Sequence, residues 1–181
     1  MKQLLFVLTL TAGLLAQQAA PQNHEAMDPK SCPMHAGHMK SQTTADQRFA
    51  EMNARGNRSM GFDQSKTTHH FRSLEDGGAI EVTVNDPANL AAIRNHLAQI
   101  AKQFAAGDFS APMMTHAEIP PGAAEMQKLK DKIAYTYEEL PGGARVRITT
   151  GDPHAIAAVH KFLAYQIKEH HTGDASSVHG H

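Results

Sequence analysis

At 181 residues the chain has room for one medium domain plus attachments, and with no tryptophan and 6% aromatics any core must be built mainly from aliphatic side chains and alanine. A formal net charge of −1 argues against the broad basic surface that nucleic-acid phosphates require. Thirteen histidines and nine methionines stand against a single cysteine, a composition that draws attention to metal chemistry.

The first twenty residues have the layout of a secretory signal peptide. Lys2 precedes an apolar run from Leu4 to Ala16, then small residues follow, with cleavage expected after Ala19 or Ala20. The run is too short to span a bilayer as a permanent helix, so export without stable membrane insertion is expected, to a bacterial periplasm. In such an oxidising compartment Cys32 has no partner in its own chain. It is free, joined to another molecule, or held by a metal.

Residues 21–59 are polar, without a sustained apolar period, and read as a disordered arm with an optional short helix over 44–55. The stretch "SCPMHAGHMK" places Cys32, Met34, His35, His38 and Met39 within eight residues. Thiolate and thioether donors favour copper(I), whereas imidazole serves copper, zinc and nickel alike. The bland reading is an arm with incidental methionine and histidine.

Residues 60–174 read as a folded α+β domain that repeats itself. Residues 77–108 and 142–174 align at an offset of 66, with Asp86-Pro87 on Asp152-Pro153 and Gly107-Asp108 on Gly173-Asp174. In each half an alternating strand follows a Gly-Gly pair, Ile80, Val82 and Val84 in one, Val146 and Ile148 in the other. "TTHHFRS" and "AYTYEEL" supply the partner strands of two hairpins. Asp-Pro starts each helix, with Asp as N-cap and Pro in the first turn, and Gly107 and Gly173 end them. Leu90, Ile93, Leu97, Ile100 and Phe104 make one apolar stripe; Ile156, Val159, Leu163 and Ile167 make the other. A third helix is expected over 122–133. The predicted fold is therefore a pair of duplicated ββα units forming a four-stranded antiparallel sheet with helices on one face. The other face, bearing Arg72, Glu81, Arg145 and Arg147, is left open. Residues 175–181 form a tail with His179 and His181.

Inside the domain, His69 and His70 are strand neighbours and must face opposite ways, His69 towards the helices if Phe71 does. His160 borders the apolar stripe of the last helix, and ten residues, about 15 Å of rise, separate it from His170. It is paired here with His69 or His70 as a candidate second metal site, completed by Met113, Met114 or His116, with a hydrogen-bonded histidine as the bland reading for His160. His170 and His171 suit a helix C-terminus through the dipole alone. Met113 and Met114 are expected to pack as loop anchors. No hydrolase, zincin, nucleotide-binding or haem-attachment motif is present. A binding domain acting through the open sheet face, or a small enzyme using His69 and His160, are the other readings.

"CPMH" resembles the core of the small heavy-metal-binding modules attached to bacterial copper exporters, although Ala36 stands where those modules continue with proline. The domain resembles a group of exported bacterial proteins that share "MGFDQSKTTHHF", "VRITT" and "VHKFLAYQIKEHHTGD". The second resemblance marks the domain boundary; the first, with the donor set of the arm, implies copper buffering or delivery, with zinc or nickel as alternative cargo and a metal exporter or chaperone as partner.

Overall fold

Alternation of apolar and polar side chains builds the sheet. The computed structural model describes residues 33–84 and 86–178, with side chains from Thr44 onward. Strands β1 (Thr67–Leu74), β2 (Gly77–Val84), β3 (Ala134–Leu140) and β4 (Gly143–Thr149) pair antiparallel in the order β1–β2–β4–β3. Successive side chains point to opposite faces of a strand. Phe71, Ile80, Val82, Val146 and Ile148 accordingly enter the core.

The two Gly-Gly pairs do different work. Pro141-Gly142 turns β3 into β4, and Gly142 has φ 95°, as the third residue of a type II turn requires. The β1–β2 turn is Glu75-Asp76 instead, so Gly77 and Gly78 lie in the strand. A Cβ on Gly78 would sit 2.2 Å from Leu163 Cδ1, which makes that glycine a requirement of helix packing.

Helices α1 (Pro33–Met60), α2 (Leu90–Ala105), α3 (Ser110–His116), α4 (Ala123–Lys128) and α5 (Pro153–Glu169) complete the described elements. Each half is a ββα unit, as expected. Helix α2 lies mainly over β3 and β4, and α5 over β1 and β2, so the helix of each half covers the hairpin of the other. Ile93, Leu97, Val159 and Leu163 join Phe71, Ile80, Val146 and Ile148 in one core. No helix among the described residues is long and apolar enough to cross a membrane.

The helix starts follow the Asp-Pro signals. Asp152 accepts hydrogen bonds from the backbone N–H groups of His154 (2.9 Å) and Ala155 (3.2 Å), satisfying donors that the helix itself leaves unpaired. Asp86 caps a short 3-10 turn, Pro87–Asn89, that leads into α2. The helix stops differ more. α5 ends at Glu169, and His171 takes the left-handed conformation, φ 51°, which the repeat alignment assigned to Gly173. The expected helix over 122–133 is α4 followed by a 3-10 turn, Lys130–Lys132. The stretch expected as a connecting loop contains α3, which leaves Met113 and Met114 exposed rather than packed and buries His116.

The chain divides into two compact units, residues 1–40 and 41–181. Of the first, only residues 33–40 are described, as the start of α1. Cys32, His179 and His181 lie outside the described residues, and Met34, His35, His38 and Met39 fall where the backbone alone is described. The folded part nevertheless begins well before residue 60. Met52 is 3% exposed, Arg55 Nε donates to Thr115 O at 2.9 Å, and Asn57 Oδ1 accepts from the Gln64 N–H at 2.8 Å. Met52, Arg55, Gly56 and Ser59 are spaced as one helix face, but it is a mostly polar face. An apolar period could not reveal it.

A histidine-lined cavity as the candidate functional site

The site forms where the start of β1 meets the end of α5. Strand periodicity puts His69 on the same face as Phe71, and their rings stand 6.2 Å apart. Four-residue spacing puts Phe162, Gln166 and His170 on one row of α5 and its last turn. His116 is the final residue of α3, which Ala117 closes with φ 59°. His96, on α2, meets Phe62 edge-on at 5.6 Å. The four histidines, Phe71, Phe162 and Gln166, with Met60, line a cavity of about 70 Å³ between α1, α2, α3, α5 and the sheet. Its remaining walls are largely apolar, and no carboxylate lines it among the described residues.

Three of the imidazoles form a chain of ring contacts. His170 stacks on His69 at 5.4 Å between centroids and meets His116 edge-on at 5.1 Å. A metal–nitrogen bond is about 2.0–2.1 Å, so two imidazoles sharing one ion at tetrahedral or trigonal angles have centroids about 5–5.5 Å apart. The observed separations match. Ring orientation does not yet: His69 and His170 are only 18° from parallel, and among the described residues no three His, Cys, Asp or Glu side chains converge as a ligand set. Rotation about χ2, a broad torsion for histidine, would be needed to turn the lone pairs inward.

The hydrogen bonds assign tautomers. His116 Nε2 lies 3.0 Å from Gln166 Oε1, which can only accept, so Nε2 carries the proton and Nδ1 keeps its lone pair. That Nδ1, and the Gln166 Nε2 amide, are buried without a hydrogen-bond partner. The Thr67 hydroxyl donates to Gln64 O at 2.8 Å, which leaves its oxygen to accept from His69 Nδ1 at 3.4 Å. His69 thus turns its own lone pair to Nε2.

Burial also sets the protonation state. It pushes His69 down to about 4, helped by the proximity of His96 and His70, and pushes His96 down to about 4. His170 is also held well below the ordinary imidazole range, by burial first and then by His69, His116 and His171. Burial lowers His116 as well, against the opposing Gln166 hydrogen bond and the charges of Glu169 and Glu118. All four rings are therefore neutral near pH 7, the form that binds a metal.

Two expected site residues stand elsewhere. His160 Nε2 pairs with Leu74 O at 2.9 Å and ties α5 to the far end of β1, so the expected His69–His160 pair does not exist. The reason is direction. β4 is antiparallel to β2 and hence parallel to β1, so α5, returning from β4, runs against β1 and brings its last turn to His69. His70 lies on the open face, where its Nδ1 bonds Asp174 Oδ1 at 2.8 Å. The second oxygen of Asp174 accepts from the Phe71 N–H at 2.9 Å, stapling the segment after α5 to the edge strand. His96 and His170 were missed as site members. The row Phe162, Gln166, His170 was the available signal for His170; nothing in the sequence singled out His96.

The rest of the open sheet face is satisfied internally. Arg145 pairs with Glu138 and Glu81, and Arg72 with Glu81 at 3.6 Å. Arg147 pairs with Asp76 and donates to Gly78 O at 2.9 Å.

Two outer clefts adjoin the cavity. One, of about 340 Å³, shares His69 and His170 with it and carries His171, whose ring stacks on Phe49 at 4.5 Å. The other, of about 480 Å³, reaches His116 from outside past Arg55, Glu118, Lys168 and Glu169. No protein-family model, curated protein or solved structure matches the chain.

Proposed function

We propose that this is an exported metal-binding protein that buffers or delivers copper, with zinc or nickel as alternative cargo, and that the histidine-lined cavity is its site in the folded domain. One observation carries the reading: four neutral imidazoles and Met60 line a cavity of about 70 Å³, with His116 Nδ1 buried and unpartnered among the described residues. A buried polar atom without a partner costs about 1–3 kcal/mol, and a metal at that lone pair would remove the cost. The Gln166 carbonyl holding His116 Nε2 is the kind of outer partner that orients a ligating imidazole. Mixed imidazole and thioether donors suit copper. Cys32, Met34, His35, His38 and Met39 supply a second, linear donor set for capture or transfer to an exporter or chaperone.

The test is a copper titration of the chain from residue 21 onward, under reducing conditions with a competing chelator. The wild type should bind more than one equivalent. His116→Ala with His170→Ala should remove the domain equivalent and leave the arm's, while Cys32→Ser should do the reverse. Unchanged stoichiometry in the double variant, with the fold intact by circular dichroism, would eliminate the cavity as a metal site.

A further inference from the structure

The charge of the cavity says which ion it takes. We infer that the cavity is selective for a monovalent soft cation, copper(I), over the divalent ions that imidazole sites usually accept; this rests on the metal-binding reading above.

Every metal-binding side chain that lines the cavity is neutral: His69, His96, His116, His170 and Met60, with Gln166 beside them. Zinc sites made by thiolates or carboxylates cancel part of the ion's charge, and among the described residues nothing here does so. Glu118 and Glu169 act on His116 only from the outer cleft, where Arg55 and Lys168 stand beside them. An ion in this cavity would keep its full charge among the rings of Phe71, Phe104 and Phe162. The cost of taking an ion out of water rises with the square of its charge, so a divalent ion meets a penalty about four times that of a monovalent one in the same surroundings. Copper(I) also tolerates two or three ligands, which the chain His69–His170–His116 can supply without the closed shell that zinc prefers. Thioether is a soft donor and adds to the preference.

The experiment uses the full exported chain with the arm donors replaced: Cys32→Ser, Met34→Leu, His35→Gln, His38→Gln and Met39→Leu. Copper(I), silver(I) as a redox-inert stand-in, zinc(II) and nickel(II) are each titrated against chelators of known affinity. The expected result is one equivalent of copper(I) and of silver(I), with zinc(II) and nickel(II) bound at least a thousandfold more weakly. His116→Gln should cost at least a hundredfold in copper(I) affinity. Gln166→Glu, nearly isosteric, places a negative charge at the cavity and should narrow the copper(I)-to-zinc(II) ratio at least tenfold. Zinc(II) binding within tenfold of copper(I) in the arm-replaced chain would overturn the inference and leave metal binding standing. Failure of that chain to bind any of the four ions would overturn both this inference and the role of the cavity in the proposed function.

Discussion

Acid should unfold the metal-free protein well above the pH at which its carboxylates titrate, because the domain holds histidines neutral, His116 buried and His69, His96 and His170 half-buried. The unfolded chain protonates each histidine near 6.5, whereas the native fold resists protonation of His69 and His96 until about pH 4. Between those limits the unfolded state binds more protons, so stability falls as pH falls; above 6.5 these groups contribute no slope. At about 1.4 kcal/mol per pH unit, a fall from 6.5 to about 4 corresponds to roughly 3 kcal/mol for each group. The two are not additive, since part of the depression at His69 comes from His96, but His170 shifts in the same direction. A loss of about 3–5 kcal/mol is a large fraction of the 5–15 kcal/mol that holds a typical domain together. The assay is denaturant unfolding, followed by circular dichroism with a chelator present, at pH 7.5, 6.5, 5.5 and 4.5. The series stops above the range of Asp152 and Asp174, whose carboxyls are held below 3.8, Asp152 chiefly by Lys132 and Asp174, against the opposing effect of its burial, by hydrogen bonds from the Phe71 N–H, His70 and Thr172 together. Midpoints should be level from 7.5 to 6.5 and then fall, and His69→Gln should flatten the fall by about one histidine's share. A midpoint unchanged between pH 7.5 and 5 would refute the claim that these rings are held neutral by the fold.

Other perturbations test the packing. Asp174→Ala removes the acceptor for both His70 and the Phe71 N–H, and should cost about 1–3 kcal/mol while speeding hydrogen exchange at the Phe71 amide, readable by NMR. Leu163→Ala empties a fully buried position between α5 and β2, and should cost about 2–5 kcal/mol in denaturant unfolding. Gly122→Ala forces a Cβ to within 2.2 Å of Ala158 O at φ 88°, and should lower the thermal midpoint more than an ordinary surface substitution does.

Local rules carried much of the fold. The period of two over Ile80, Val82 and Val84, the Asp152 cap and the apolar row Val159–Leu163–Ile167 each depend on neighbours within a few residues, so the sequence alone determined two ββα units, an antiparallel sheet and the face that its helices cover. Nothing local stated that α2 covers β3 and β4 while α5 covers β1 and β2, because that choice depends on how two similar halves interlock. The site hung on it. The direction of α5 against β1 sent His160 to Leu74 O and brought His170 to His69, more than a hundred residues apart in the chain, and α3 folded His116 inward to meet Gln166 and His170. Histidine occurs in caps, surfaces and sites alike, so its type and spacing carried no sign of which rings would be buried. Only the tertiary structure decided that, by withdrawing water from His69, His96, His116 and His170 together and leaving them neutral around one cavity.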